Sequence, residues 1–97
     1  MIYHIVTRAD WDRQANEAAY EAASLQTEGF IHLSTKEQVA GVLERYYQNV
    51  PDLLLLQVDP DRLVHSLRYE AATNNELFPH LYGKLNKDAV VTVEALN

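Results

Sequence analysis

A histidine and a serine two residues apart could place acid–base and hydrogen-bonding groups on one side of a strand in this chain. Within residues 29–38, GFIHLSTKEQ, the side chains of Phe30, His32 and Ser34 would share one strand face, because side chains alternate along a strand. Histidine titrates near neutral pH and serves as a general acid or base. A helix beginning after Thr35 would add free backbone N–H groups and the positive end of its dipole, which favour anions. The segment therefore predicts a ligand site at a strand–helix junction.

The hydroxyl groups of this segment also have a purely structural interpretation. Ser34 stands three residues before Glu37, and Thr35 stands three residues before Gln38. Both spacings fit a capping box, in which a hydroxyl and a Glu or Gln side chain bond the free N–H groups at a helix start. Capping and ligand binding are therefore both open for Ser34 and Thr35.

Three further histidines, His4, His65 and His80, accompany His32. Acid–base chemistry would require His4, His32 and His80 to converge, which only folding can bring about. A metal site on the same imidazoles has no support in their spacing, because no His-x-His, His-x₃-His or H-E-x-x-H pattern occurs. We predict no metal site and assign no role to His65.

Residues 78–83, FPHLYG, form a second segment of chemical interest. Pro79 fixes φ and restricts Phe78, and Gly83 permits a tight turn, so a stiff loop is predicted to present His80 and Tyr82. The alternative is a packed turn in which the aromatic rings of Phe78 and Tyr82 fill the core.

Arg68 and Glu70 are predicted to share a strand face, at positions i and i+2. A solvated ion pair is one interpretation of this pair. The other is a functional role for Glu70, since a carboxylate in a cleft can stabilise a cationic transition state or bind a hydroxyl group.

Composition narrows the classes of function. The chain has 97 residues, no cysteine and a formal net charge of −6. Its size fits one domain, residues 1–97, and 8 Lys and Arg residues are too few for general nucleic-acid binding. Without cysteine there is no disulfide, thiolate nucleophile or cysteine metal site. No signal peptide, membrane segment, glycine-rich phosphate loop or nucleophile elbow is recognisable, so a cytoplasmic location without membrane attachment is expected.

Hydrophobic patterns predict the elements that must position these residues. Strands are predicted over residues 2–7, 30–34, 53–58, 63–70 and 89–95, with the Leu-rich strand 53–58 in the centre. A first helix, capped by Thr7, would end between residues 15 and 23, and residues 20–28 would form a connection. A second helix would follow Lys36, with Tyr46 and Tyr47 in the core. The order predicts an α+β fold with a small split or mixed β-sheet and two main helices.

These motifs together resemble a known family. Residues IYHI at 2–5, Trp11, GFIHLST at 29–35 with Gln38, LRYE at 67–70 and FPHLYG at 78–83 are similar to the small bacterial family called domain of unknown function 952, over essentially the whole chain. That family is grouped with the ADP-ribosyltransferase-like fold, in which a split β-sheet encloses a cleft for NAD. The resemblance implies such a fold here, with NAD or a related nucleotide as the candidate ligand.

The resemblance also implies roles for individual residues. In the wider fold, a first-strand His or Arg, a second-strand Ser or Thr beside an aromatic residue, and a later polar residue serve nicotinamide and ribose. His4 is similar to the first of these, Ser34 with His32 to the second, and Glu70 or His80 to the third.

The implied activity is ADP-ribose transfer or cleavage of a glycosidic bond, and the candidate catalytic residues are His4, His32, Ser34, Glu70 and His80. The candidate residues for binding the ligand are His4, Ser34, Thr35 and Tyr82, with the helix start at Thr35 facing a pyrophosphate. The alternative is a noncatalytic ligand-binding or protein-interaction module on the same fold, because no Glu-x-Glu pair and no matching set of arginines is present.

Overall fold

The computed structural model describes residues 1–97 and contains three α-helices and nine strands. The helices are α1 (Arg8–Arg13), α2 (Ala23–Thr27) and α3 (Val39–Tyr46). The strands are β1 (Ile2–Thr7), β2 (Ala19–Tyr20), β3 (Ile31–His32), β4 (Ser34–Thr35), β5 (Leu53–Val58), β6 (Ser66–Ala71), β7 (Leu77–Tyr82), β8 (Leu85–Asn86) and β9 (Val90–Ala95). Short 3₁₀ turns connect several of them, including one at Lys36–Gln38 that leads into α3.

The strands form three separate sheets, and every strand pair is antiparallel. Four strands follow the order β4-β1-β5-β9, three follow the order β3-β7-β6, and β2 pairs with β8. The predicted α+β class is confirmed. The pairing is purely antiparallel rather than mixed, because β4 and β5, which α3 connects, lie on either side of β1 and do not pair with each other.

Residues 31–35 connect the two larger sheets. Ile31 and His32 pair with β7, whereas Ser34 and Thr35 pair with β1. The N–H of Leu33 donates to the carbonyl of Pro79 at 3.0 Å, but the nitrogen of Pro79 has no hydrogen to return a second bond. The ladder between β3 and β7 therefore ends at this proline, and the chain crosses from the three-stranded sheet to the four-stranded sheet. His32 lies just before this crossing and Ser34 just after it.

The Leu-rich strand β5 lies between β1 and β9, which confirms its predicted central position. Four of its six residues are buried, namely Leu53, Leu54, Leu56 and Val58. Alternate residues of β1 and β5 join Ile31, Leu33, Leu81 and Leu85 in one hydrophobic core of 12 residues. The core thus packs directly behind the segment that carries His32 and Ser34.

The first helix is shorter than its sequence predicts. Thr7 caps it as expected, accepting a hydrogen bond from the N–H of Asp10 at 3.1 Å, but α1 ends at Arg13. The carboxamide of Gln14 exchanges hydrogen bonds with the backbone of Glu21, at 2.8 and 3.0 Å, and closes the chain into a loop. The predicted connection over residues 20–28 was wrong, because these residues include a helix that was not predicted, α2, and part of β2.

Two further predictions about local structure were wrong. Residues 78–83 do not form a loop: Leu77–Tyr82 is the central strand of the three-stranded sheet, and Pro79 is tolerated there because the ladder to β3 stops at its nitrogen. Tyr46 is not a core residue, since 59% of it is exposed.

None of the helices has the length and apolar character that a membrane-crossing segment requires.

Candidate functional site

A cavity of about 630 Å³ opens between β1, the 31–35 crossing, α2 and α3. Its polar lining includes three residues singled out by the sequence, His4, His32 and Ser34. The other polar or aromatic residues on its wall are Thr7, Asp10, Tyr20, Ser24, Glu28, Tyr46, Tyr47, Thr73 and Phe78. The volume lies within the range of about 300–1,000 Å³ that small-molecule sites occupy.

His4 is held in one tautomer by the protein. Its Nδ1 lies 2.7 Å from the carbonyl oxygen of His32, which can only accept, so Nδ1 carries the hydrogen. Its Nε2 lies 3.0 Å from the hydroxyl of Tyr20, which donates to it. Burial lowers the pKa of His4 from 6.5 to about 4, partly offset by the hydrogen bond to His32. His4 is therefore a neutral imidazole at physiological pH, with both ring nitrogens bonded.

Tyr20 is a residue of the site that the sequence reasoning missed. Its ring centroid lies 5.3 Å from that of His4 and 5.6 Å from that of Trp11, and only 1% of it is exposed. Burial raises the pKa of its hydroxyl, and the carboxylate of Asp10 adds to the effect. The sequence feature that could have identified Tyr20 is a single tyrosine among small and polar residues, within the segment predicted to be a connection.

His32 lies at the rim of the cavity and pairs with a carboxylate there. Its Nε2 lies 3.1 Å from Oε2 of Glu28, and both side chains are about half exposed. Glu28 was not among the predicted site residues, although its position four residues before His32 is a spacing that often brings side chains together. The carboxylates on the cavity wall are thus those of Glu28 and Asp10, and Glu70 is not one of them.

The hydroxyl residues of the crossing have separate positions. Ser34 is buried and contributes to the cavity wall. Thr35 forms a capping box with Gln38, whose carboxamide oxygen accepts from the N–H of Thr35 at 3.0 Å. Thr35 lies outside the cavity lining, so its structural interpretation is the one seen here. The same Gln38 side chain donates to the carbonyl of Leu77 at 2.7 Å, which ties the helix start to β7.

His80, Glu70 and Tyr82 form a second cluster on the three-stranded sheet, outside the cavity lining. Nδ1 of His80 lies 2.9 Å from Oε1 of Glu70, and the hydroxyl of Tyr82 donates to the same oxygen at 2.5 Å. These bonds, first from Tyr82 and then from His80, lower the pKa of Glu70, and the bond to Glu70 raises the pKa of Tyr82. The ring of Phe30 stacks on His80 with centroids 4.1 Å apart.

His32 connects the cluster to the cavity. It is paired with His80 across β3 and β7, and the two ring centroids are 5.4 Å apart in an edge-to-face arrangement. His80 is only 3% exposed, and its Nε2 is the one buried side-chain polar atom without a hydrogen-bond partner. The three imidazoles therefore form a chain rather than a ring: His4 and His32 line the cavity, and His80 lies behind His32.

The structure contains no group of three or more His, Cys, Asp or Glu side chains placed to hold a metal ion. The chemistry that the arrangement can offer is hydrogen bonding by neutral side chains, contact with aromatic rings, and negative charge from Asp10 and Glu28.

Sequence comparison assigns the chain to a family. The family model described as Protein of unknown function (DUF952) matches residues 5–93. The chain belongs to this family. The family match confirms the resemblance seen in its motifs, and no curated protein matches the chain.

Solved structures of another protein have a similar fold. The crystal structure of protein CC0527 from Caulobacter crescentus is 34% identical, with a TM-score of 0.90 over 99% of this chain and 85% of that chain. The solution NMR structure of CC0527 is 34% identical, with a TM-score of 0.85 over 99% and 84% of the two chains. The chain is thus similar to CC0527 in both sequence and fold.

Proposed function

We propose that this DUF952 protein binds a nucleoside or nucleotide in the cavity at His4 and Ser34, with NAD or a related molecule as the ligand, and that its fold belongs to the ADP-ribosyltransferase-like group. The observation that carries the proposal is the meeting of His4, His32 and Ser34 on one wall of a cavity of about 630 Å³. These residues are distant from one another in sequence or lie on different sheets, and the volume between them is within the range that small-molecule sites occupy.

The aromatic residues of the wall are suited to a flat heterocyclic ring. Tyr46, at the end of α3, and Tyr47, which follows it, line the same cavity as His4 and Ser34. A planar base or nicotinamide ring placed between these residues would gain stacking contacts, and the hydroxyl of Ser34 would bond a ribose hydroxyl or amide. His4, fixed by His32 and Tyr20, gives that wall a rigid shape.

A glycosidic cleavage at this site would depend on the carboxylates of the cavity. When the bond between ribose and a nicotinamide leaving group breaks, nicotinamide leaves with the bonding electron pair, and water or another nucleophile adds to the ribose carbon. Glu28 and Asp10, both on the wall, would offset the positive charge that develops on the ribose. Glu70 and His80 would act only through His32, because neither lines the cavity.

Isothermal titration calorimetry with NAD, nicotinamide riboside and ADP-ribose tests the binding proposal. For whichever ligand binds, Ser34→Ala should reduce the affinity by roughly threefold to tenfold, which is the effect of losing one hydrogen bond. Thr92→Ala, in a shallow surface hollow on the four-stranded sheet, is the matched control and should leave affinity unchanged. An absence of heat and of NMR shifts with every ligand at millimolar concentration would overturn the proposal.

One observation favours a noncatalytic module as the second candidate function. Both nitrogens of His4 are bonded within the protein, so its imidazole is not free to move a proton. A ligand that binds in the cavity and is recovered intact after prolonged incubation, with no nicotinamide released, would support binding without catalysis. Release of nicotinamide that Glu28→Gln abolishes would support the enzyme.

A further inference from the structure

Apart from two histidines, the ionisable acidic and basic side chains on the cavity wall are all carboxylates. Among its 19 lining residues there is neither a lysine nor an arginine, whereas Asp10 and Glu28 contribute two carboxylates. Proteins bind phosphate with arginine, lysine or the start of a long helix. A nucleotide phosphate inside this cavity would meet two carboxylates and no lysine or arginine side chain on the wall.

The neutral groups of the wall do not change that balance. Burial keeps His4 uncharged by lowering its pKa to about 4, and burial likewise raises the pKa of Tyr20. The carboxylate of Asp10 raises the pKa of both groups, as a nearby negative charge should, so its field reaches the buried wall. His32 opposes that effect at His4, and Arg13 opposes it at Tyr20, so the charge of Asp10 is partly balanced there.

The nearest cations do not supply a phosphate site. Arg13 pairs with Asp10 from outside the lining, and its side chain is 68% exposed, so solvent screens it. Ala23 and Ser24 at the start of α2 reach the wall, but a helix of five residues has only a small dipole. His32 is occupied by Glu28.

Aromatic rings complete a surface that attracts cations. Tyr46, Tyr47 and Phe78 line the cavity, as does Tyr20, whose ring packs against His4 and Trp11 and is only 1% exposed. The face of an aromatic ring carries negative charge density and attracts organic cations, most strongly where water is excluded. Aromatic faces combined with carboxylates are a typical environment for a positively charged heterocycle or a quaternary ammonium group.

We propose that the cavity selects a planar organic cation, namely a positively charged N-ribosyl heterocycle that brings no phosphate inside. This inference rests on the proposed function and narrows its ligand class. Nicotinamide riboside, an N-ribosyl pyridinium, has the required charge and shape. Any phosphate of a larger ligand would have to stay in solvent at the cavity mouth.

Calorimetry with three related compounds tests the selection. Nicotinamide riboside and its dihydro form have nearly the same shape, but the dihydro ring is uncharged, and nicotinamide mononucleotide adds one phosphate. The riboside should bind roughly threefold to thirtyfold more tightly than the dihydro form, the range that cation–π contacts provide. The mononucleotide should bind more weakly than the riboside.

Variants that remove one carboxylate charge show which residues cause the preference for the positively charged riboside. Glu28→Gln and Asp10→Asn should each reduce affinity for the riboside and leave affinity for the dihydro form nearly unchanged. Glu94 lies on the four-stranded sheet, on the face that is turned away from the cavity. Glu94→Gln is therefore the matched control and should change the affinity for neither compound. Because Glu28 is about half exposed, its variant should fold normally even if Asp10→Asn disturbs α1.

The outcomes separate the two proposals. Equal or tighter binding of the dihydro form, or tighter binding of the mononucleotide, would overturn the cation inference while the nucleotide-binding proposal stands. Failure of all three compounds to bind would overturn the cation inference, and the nucleotide-binding proposal is overturned with it only if NAD and ADP-ribose also fail to bind.

Discussion

The imidazole of His4 in β1 donates from Nδ1 to the backbone carbonyl of His32 in β3, over 2.7 Å. The two residues belong to different sheets, so this bond joins the four-stranded and three-stranded sheets at the cavity wall. Because a backbone carbonyl makes the contact, the side chain of His32 is left to pair with Glu28 at the rim. The bond fixes both the tautomer of His4 and the position of the crossing that carries Ser34.

The lowered pKa of His4 predicts a loss of stability in mild acid. Above pH 6.5 the imidazole is neutral in the folded and unfolded chains, so it contributes no pH dependence. Below that pH the unfolded chain takes up a proton that the folded chain resists until about pH 4, and stability falls by about 3 kcal/mol at most. Urea unfolding at a series of pH values measures this slope.

Substitution of the histidines assigns that slope to one residue. His4→Gln should remove the part of the pH dependence between 6.5 and about 4, whereas exposed His65→Gln should leave it in place. The account of His4 is contradicted if its variant keeps the full slope.

Tyr20→Phe should destabilise the protein by about 1–3 kcal/mol, because the buried Nε2 of His4 loses its only donor. Tyr69→Phe serves as the control, since Tyr69 is 51% exposed. Chemical denaturation measures both variants. Equal stability of Tyr20→Phe and the unsubstituted protein would show that the hydroxyl does not support His4.

Gly83→Ala should destabilise the protein by about 1–3 kcal/mol through overpacking. A Cβ atom at this position would lie 2.2 Å from Cγ of His65, a distance that only a shift of the chain can relieve. Gly41→Ala in α3 is the matched control, because its new methyl group meets only the flexible end of Arg45. The control should be stabilising by about 0.5–1 kcal/mol, since alanine favours helix more than glycine does.

A double-mutant cycle identifies the cause of the Gly83 effect. Adding His65→Gly should restore much of the stability that Gly83→Ala loses, because the clashing ring and the Cβ atom of His65, 2.7 Å from the new methyl group, are both gone. Strictly additive losses would place the cause elsewhere.

Glu70→Gln should lower the pKa of Tyr82 toward its usual value. The carboxylate now accepts the phenol hydrogen bond and opposes the negative phenolate, so removing its charge makes ionisation easier. NMR titration of tyrosine ring carbons measures this change, with exposed Tyr69 as the internal reference. An unchanged Tyr82 pKa would contradict the hydrogen-bonded arrangement of the second cluster.

Local sequence patterns predicted the elements whose signals are contained within a few residues. The alternation of β1, the Leu-rich run of β5 and the Thr7 cap all follow from short-range chemistry. The short strands β2 and β8 could not be predicted, because each has two residues and exists only through pairing with the other.

The site was predictable in its residue types but not in its grouping. His4, His32 and Ser34 meet because residues 31–35 change sheets, and that change depends on Pro79, more than 40 residues further along the chain. Proline was interpreted as the mark of a loop, whereas here it ends a ladder inside a strand. Tyr20 joined the site through a contact with His4 that no local pattern encodes.

An NMR titration of labelled protein with nicotinamide riboside is the most direct test of the central claim that the cavity is a ligand site. The account predicts saturable amide shifts at Ala22, Leu33, Ser34 and Tyr47, which all lie on its wall, with little change at Thr92 and Glu94 on the far sheet face. Shifts confined to that far face, or no shifts at millimolar ligand, would contradict it.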